Sequence, residues 1–224
     1  MQSKIPPPIP PKVFGVGFHK TGTSSLRHAL SLLGHRVTGP DGVGVVSSRE
    51  EMTEVVDDRI HRYDAFQDNP YPISYKYIDN NVKNSKFILT VRDKNEWIRS
   101  VVNHFGEDST SMREYIYGEG MGSPKGNEEV YVKRYERHNQ EVKNYFAGRD
   151  DFVVMNIMEG DGYEKICSLL GIPTPPLSFP HKHARRKDKK NEAMNRNIRK
   201  IFRWTYYSIR CLKVAMYRTD PGPL

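Results

Sequence analysis

The chain has 224 residues, enough for one large domain or two small ones with a substantial core. A hydrophobic fraction of 37% is modest, but 11% aromatic residues speak against general disorder. The net charge of +8 suits an anionic ligand, an acidic polymer or a membrane surface without choosing among them, and much of it is local, in the run 182–190 and the tail beyond.

Two distant cysteines, Cys167 and Cys211, make neither a disulfide framework nor a metal set, and a reduced intracellular protein is expected. Residues 1–12, MQSKIPPPIPPK, read as an extended proline-rich arm, with an SH3-type ligand as the alternative. The arm lacks the apolar stretch of a signal peptide, and no window reaches the length of a membrane span, so a cytoplasmic location is expected.

The first strong unit is VFGVGFHKTGTSSLRHALSLL, residues 13–33. Val13, Phe14, Val16 and Phe18 read as a buried strand; Leu26, Ala29, Leu30 and Leu33 form one apolar stripe of a helix that Gly34 stops. Between them, Lys20, Thr21, Gly22, Thr23, Ser24 and Ser25 bring a cation, hydroxyls and unpaired N–H groups to a helix N-terminus, which predicts an anion site. Gly17 and Gly22 have the spacing of a nucleotide-triphosphate loop, yet Thr23 follows Gly22 and the lysine sits inside the loop. The dinucleotide fingerprint fails as well, because Lys20 stands where its third glycine belongs. A structural strand-turn-helix with a surface lysine is the alternative.

Residues 38–48 read as loop with a short strand, and 49–60 as a charged helical segment. Ala65 and Phe66 resemble a strand end closed by a turn at Asn69-Pro70, and a helix is expected over 73–82. Ligands sit at the carboxyl ends of strands in open α/β sheets, so Asp68 should face the cleft that holds Lys20. The second strong unit is KFILTVRDKNEWIRSVVNHF, residues 86–105. It reads as a buried strand through Val91, then a helix with Trp97, Ile98, Val101, Val102 and Phe105 inward. Arg92 and Ser100 there suit a second phosphate; an Arg92–Asp93 pair or a helix cap is the alternative.

Residues 107–127 are rich in glycine and polar residues and read as a mobile excursion over the site. A long charged helix at 128–146, a strand at 152–155 and a short helix at 163–170 follow. Beyond Pro173 the chain becomes a basic, proline-punctuated loop, then a tail with Ile198, Ile201, Phe202, Ile209, Leu212 and Met216 at helical spacing. That tail suits packing on the domain, with an anionic membrane surface as the other reading.

Taken together, GFHKTGTSSL and ILTVRDKNEWIRS resemble the 5′-phosphosulfate loop and the 3′-phosphate element of the sulfotransferases that use 3′-phosphoadenosine 5′-phosphosulfate (PAPS). YDAFQDNPYPISYKYID, MNIMEGDGYEKICSLLGIP and SFPH are similar to a mostly microbial branch, and the likeness spans roughly residues 13–183. It implies an α/β fold of three layers, α/β/α, with a central, mostly parallel sheet, P-loop NTPase-like. A sulfotransferase domain at 13–190 would lie between the arm and a basic helical tail at 191–224. It also implies roles. Lys20 would contact the sulfate and the bridging oxygen, while His19, Gly22 and the hydroxyls of Thr21, Thr23, Ser24 and Ser25 would meet the 5′-phosphosulfate. Arg92 and Ser100 would hold the 3′-phosphate. Arg185, Arg186 and Lys187 stand where the family has Arg-Lys-Gly over that phosphate, although the glycine is missing.

For the general base, one cytosolic branch has a histidine a little over twenty residues ahead of the arginine. Asp68 occupies that place here, and His35, His61 and His104 are other candidates. The product would be 3′,5′-bisphosphoadenosine, with no metal required. The acceptor would be a hydroxyl or amine of a small molecule, lipid or carbohydrate, not a nucleic acid. A P-loop kinase and a non-catalytic anion- or membrane-binding module are the other function classes.

Overall fold

The computed structural model describes residues 11–180. The proline-rich arm up to residue 10, the basic run with Arg185, Arg186 and Lys187, and the tail lie outside the described residues. Five strands make one parallel sheet in the order β2-β3-β1-β4-β5: β1 (Lys12–Gly15), β2 (Val37–Thr38), β3 (Ala65–Phe66), β4 (Ser85–Thr90) and β5 (Phe152–Met155). The central strand opens at Lys12, a residue that the sequence groups with the arm, and ends at Gly15. Val16 and Phe18 are buried but belong to the loop beyond it, with Val16 N–H still donating to Ile88 O at 2.8 Å.

Successive residues of a strand point to opposite faces, and both faces of this sheet are covered. Val13, Ala65 and Ile88 point to one side, where they pack on Leu26, Ala29 and Leu30 of α1 (Thr23–Leu32) and on Ile166 and Cys167 of α7 (Tyr163–Leu170). Phe14, Phe66 and Phe87 are register partners pointing to the other side, with ring centroids 4.6 and 5.8 Å from Phe14. They pack on α2 (Arg49–Ile60), α3 (Tyr75–Asn81) and α6 (Glu128–Tyr145) through Val56, Ile78 and Val142. The result is the three-layer α/β arrangement. A third apolar cluster lies beyond the strand ends and joins Phe18 to Trp97 and Val101 of α4 (Lys94–Phe105) and to Tyr131 and Tyr135 of α6.

The excursion at 107–127 differs from the expected loop. It carries helix α5 (Ser111–Tyr117), because Met112, Ile116 and Tyr117 share a buried face and Thr110 caps the first turn by accepting from Arg113 N–H. Tyr117 stacks on Tyr131 at 3.5 Å between centroids, and Lys125 N–H closes the excursion onto Gly106 O. Among the described residues no helix is long and apolar enough to cross a membrane.

Candidate functional site

Helix α1 leads from β1 towards β2 on one flank of the sheet, whereas the chain after β4 passes to β5 on the other. The carboxyl ends of the neighbouring strands β1 and β4 therefore open a crevice at the point where the topology switches. The loop after β1 and the segment after β4 meet there. Lys20, Arg92 and Ser100 line one cavity of about 510 Å³ together with Glu96, Arg99 and His104. Lys20, Arg92 and Ser100 also border a second cavity of about 640 Å³ that reaches Asp68, Asn69 and Arg113.

The loop leaves the first turn of α1 open to the larger cavity. Lys20 and Gly22 both adopt positive φ, 64° and 99°, and no side chain caps the first turn of α1. Gly22 is required twice over, since its backbone is left-handed and a Cβ would lie 2.9 Å from Ile157 Cδ1. Gly22, Thr23, Ser24 and Ser25 all line the larger cavity, at the positive end of the helix dipole.

Not every hydroxyl of the loop faces the crevice. Thr21 is fully buried, and its Oγ1 donates to Phe18 O at 2.5 Å and meets Thr90 Oγ1 at 2.6 Å, tying the loop to the end of β4. Thr21, expected to meet phosphate through its hydroxyl, has that hydroxyl bonded internally and is not among the residues lining the larger cavity. Thr23 Oγ1 donates to Asp68 Oδ2 at 3.1 Å. His19 is 4% exposed and packed among Trp97, Phe105 and Tyr117; burial first, then the charges of Arg113, Lys20 and His104, push its pKa down to about 3. It enters the cavity wall as a neutral ring.

Asp68 lies at the end of β3 as expected, itself at φ 65° and half-buried. Burial raises its pKa, and the Asn69 N–H (2.9 Å from Oδ1), Thr23 and Lys20 oppose that rise without cancelling it. Burial likewise lowers the pKa of Lys20, Asp68 acting against this and Arg92 adding to it. Arg92 pairs with Glu96 at 3.3 Å, one helical turn on, and not with Asp93, whose carboxylate caps α4 by accepting from Asn95 and Glu96 N–H. That exposed pair is weak and exchangeable. Of the other base candidates, His104 lines both cavities, while His35 and His61 line neither. His61 sits exposed at the end of α2, and burial lowers His35 to about 4.

Sequence reasoning missed several residues. Tyr135 on α6 holds the Arg92 backbone at both ends, accepting from Arg92 N–H and donating to Arg92 O, each at 2.9 Å. His138, fully buried, stacks on Phe18 at 4.1 Å and places Nε2 2.8 Å from Val16 O. Asp41 gathers Thr38, Arg59 and Tyr71 and pins the loop that brings Pro40 and Val43 to the cavity. Arg113 reaches the site from α5. Such contacts join elements far apart in the chain, and no spacing rule announces them.

No curated protein matches the chain. The family model described as a sulfotransferase domain matches residues 12–187, most of the chain and both elements that converge on the crevice. The chain belongs to the sulfotransferase family, whose reaction is sulfuryl transfer.

Proposed function

We propose that the protein transfers a sulfuryl group from PAPS to a hydroxyl or amine acceptor and releases 3′,5′-bisphosphoadenosine. The observation that carries this reading is the convergence of Lys20, Arg92 and Ser100 on one cavity beside the uncapped start of α1. Two separated sets of anion-binding groups suit a donor with phosphate at two positions. When bound, the donor supplies a sulfuryl group joined through a bridging oxygen to a nucleotide able to leave.

The residues then divide the work by charge. The loop N–H groups of α1, with Ser24 and Ser25, would hold the 5′ end, and Arg92 and Ser100 the 3′-phosphate. Lys20 would neutralise negative charge growing towards the nucleotide, the main demand of a loose, in-line transfer. Asp68 would take the acceptor's proton, and its raised pKa makes it a better base than an ordinary carboxylate. Thr23 orients that carboxylate.

Calorimetry with 3′,5′-bisphosphoadenosine in magnesium-free buffer tests the donor assignment; magnesium-dependent ATP turnover without bisphosphate binding would instead indicate a kinase. Lys20→Ala is expected to lower transfer of labelled sulfate by about 10²-fold or more. Lysine and alanine share a Cβ, so the positive φ strains both alike and the fold should persist, as a thermal melt will read. A folded Lys20→Ala protein with near-normal transfer would refute the role.

A further inference from the structure

Arg113 is 5% exposed, borders the larger cavity, and has no carboxylate within ion-pair distance among the described residues. Its Nε donates to Gly122 O at 2.8 Å and its Nη2 to Asp108 O at 2.6 Å, and its guanidinium lies 4.5 Å from the Phe105 ring centroid. The half-buried arginines have acids: Arg59 meets Asp41, Arg92 meets Glu96, and Arg134 lies 3.8 Å from Glu141. A buried charge without a counter-ion is costly, and carbonyl dipoles and a ring face offset only part of that cost. A glutamine amide ends where Nε stands, so it would reach Gly122 O without burying charge but would leave Asp108 O unbonded. An anion entering the cavity would supply the missing charge to a planar fork that carboxylate, phosphate and sulfate fit.

Arg113 is none of the groups assigned to the donor, although it shares the larger cavity with them, and it comes from an excursion that follows α4 in the chain. The cavity it borders also reaches Asp68 and has apolar surface from Pro40, Val43 and Met158. We propose that Arg113 is a specificity-determining residue that recognises an anionic group (a carboxylate, phosphate ester or sulfate ester) on the acceptor. The acceptor class is then a hydroxyl or amine compound carrying an acidic substituent beside an apolar part. This rests on the donor reading, which leaves Arg113 for the acceptor by giving Lys20, Arg92 and Ser100 to PAPS.

The test uses the full chain saturated with 3′,5′-bisphosphoadenosine, titrated with inorganic phosphate and, separately, sulfate, and followed by calorimetry and thermal shift. Saturable anion binding is expected, weakened about tenfold or more in Arg113→Gln and by less in Arg113→Lys, with bisphosphoadenosine affinity within about threefold of wild type in both. Absence of a saturable anion site, or a site unchanged in Arg113→Gln, overturns the proposal; the second result would assign the anion to Lys20 and leave Arg113 as a pin of the excursion. Should Arg113→Gln fail to fold, Arg113→Lys decides, since unchanged anion binding there overturns the proposal equally. Failure to bind bisphosphoadenosine would instead refute the donor reading, and the same titrations on the ligand-free variants would still read Arg113.

Discussion

Gly17 lies where the loop leaving β1 passes the end of β4, and its replacement by alanine is a demanding test of how the site is assembled. A Cβ at Gly17 would lie 2.2 Å from Thr90 Oγ1, 2.3 Å from Thr90 O and 2.7 Å from Thr90 N. Two of these are backbone atoms of the last residue of β4, so no side-chain rotation relieves the clash and the two segments must separate. Overpacking of this kind costs about 1–3 kcal/mol. Separation also breaks the Thr21–Thr90 hydrogen bond, adding about 1 kcal/mol. Gly17→Ala should therefore destabilise by about 2–4 kcal/mol, a fall in Tm of roughly 5–15 °C for a chain of this size. Gly44→Ala is the control: among the described residues nothing lies within 4 Å of its Cβ, so its stability should stay within about 1 kcal/mol of wild type. Urea unfolding followed by tryptophan fluorescence measures both. Because Lys20 and Arg92 hang from the two segments forced apart, bisphosphoadenosine affinity should drop by about tenfold or more in Gly17→Ala. A Gly17→Ala protein as stable as wild type, with unchanged affinity, would refute the close approach and the argument built on it.

Burial raises the Asp68 pKa, so the folded protein keeps that proton to higher pH than the unfolded chain; the ionised form costs stability at neutral pH, and that cost disappears as pH falls through the folded pKa. Asp68→Asn should accordingly be stabilising at pH 7 in thermal melts while lowering transfer by about 10²–10⁴-fold. The wild-type pH profile of kcat/KM should show an acid limb above the ordinary carboxylate range; a limb that persists in the variant would assign the base elsewhere, with His104 next. Tyr135→Phe removes both bonds to the Arg92 backbone within a buried setting, for a loss of about 1–3 kcal/mol in denaturant unfolding and weaker bisphosphoadenosine binding. Equal binding by the variant would show that Arg92 needs no such brace. Thr21→Val should cost about 1–2 kcal/mol of stability yet leave bisphosphoadenosine affinity within a few-fold, because the hydroxyl faces Thr90 and not the cavity. A large affinity loss at unchanged stability would return Thr21 to the binding set.

Local pattern and chemistry determined a good deal of this protein. Periodic apolar residues in 26–33 and 97–105, the buried runs at 13–14 and 87–89, and the lysine misplaced for a triphosphate loop are properties of adjacent residues, legible without the fold. The pairing of the Lys20 loop with Arg92 and Ser100 came from the likeness of the two stretches to one family, and the fold sets the loop after β1 and the segment after β4 at one edge of a parallel sheet. Helix α5 was hidden because glycines around it masked a stripe of only Met112, Ile116 and Tyr117. What the tertiary structure alone decided was direction. It turned the Thr21 hydroxyl inward and Thr23 towards Asp68, gave Arg92 to Glu96, braced its backbone on Tyr135, and brought Arg113 to the cavity with no acid beside it among the described residues. Residue type tells what a side chain can bind; the partner it meets depends on contacts across tens of residues, which one-dimensional spacing does not encode.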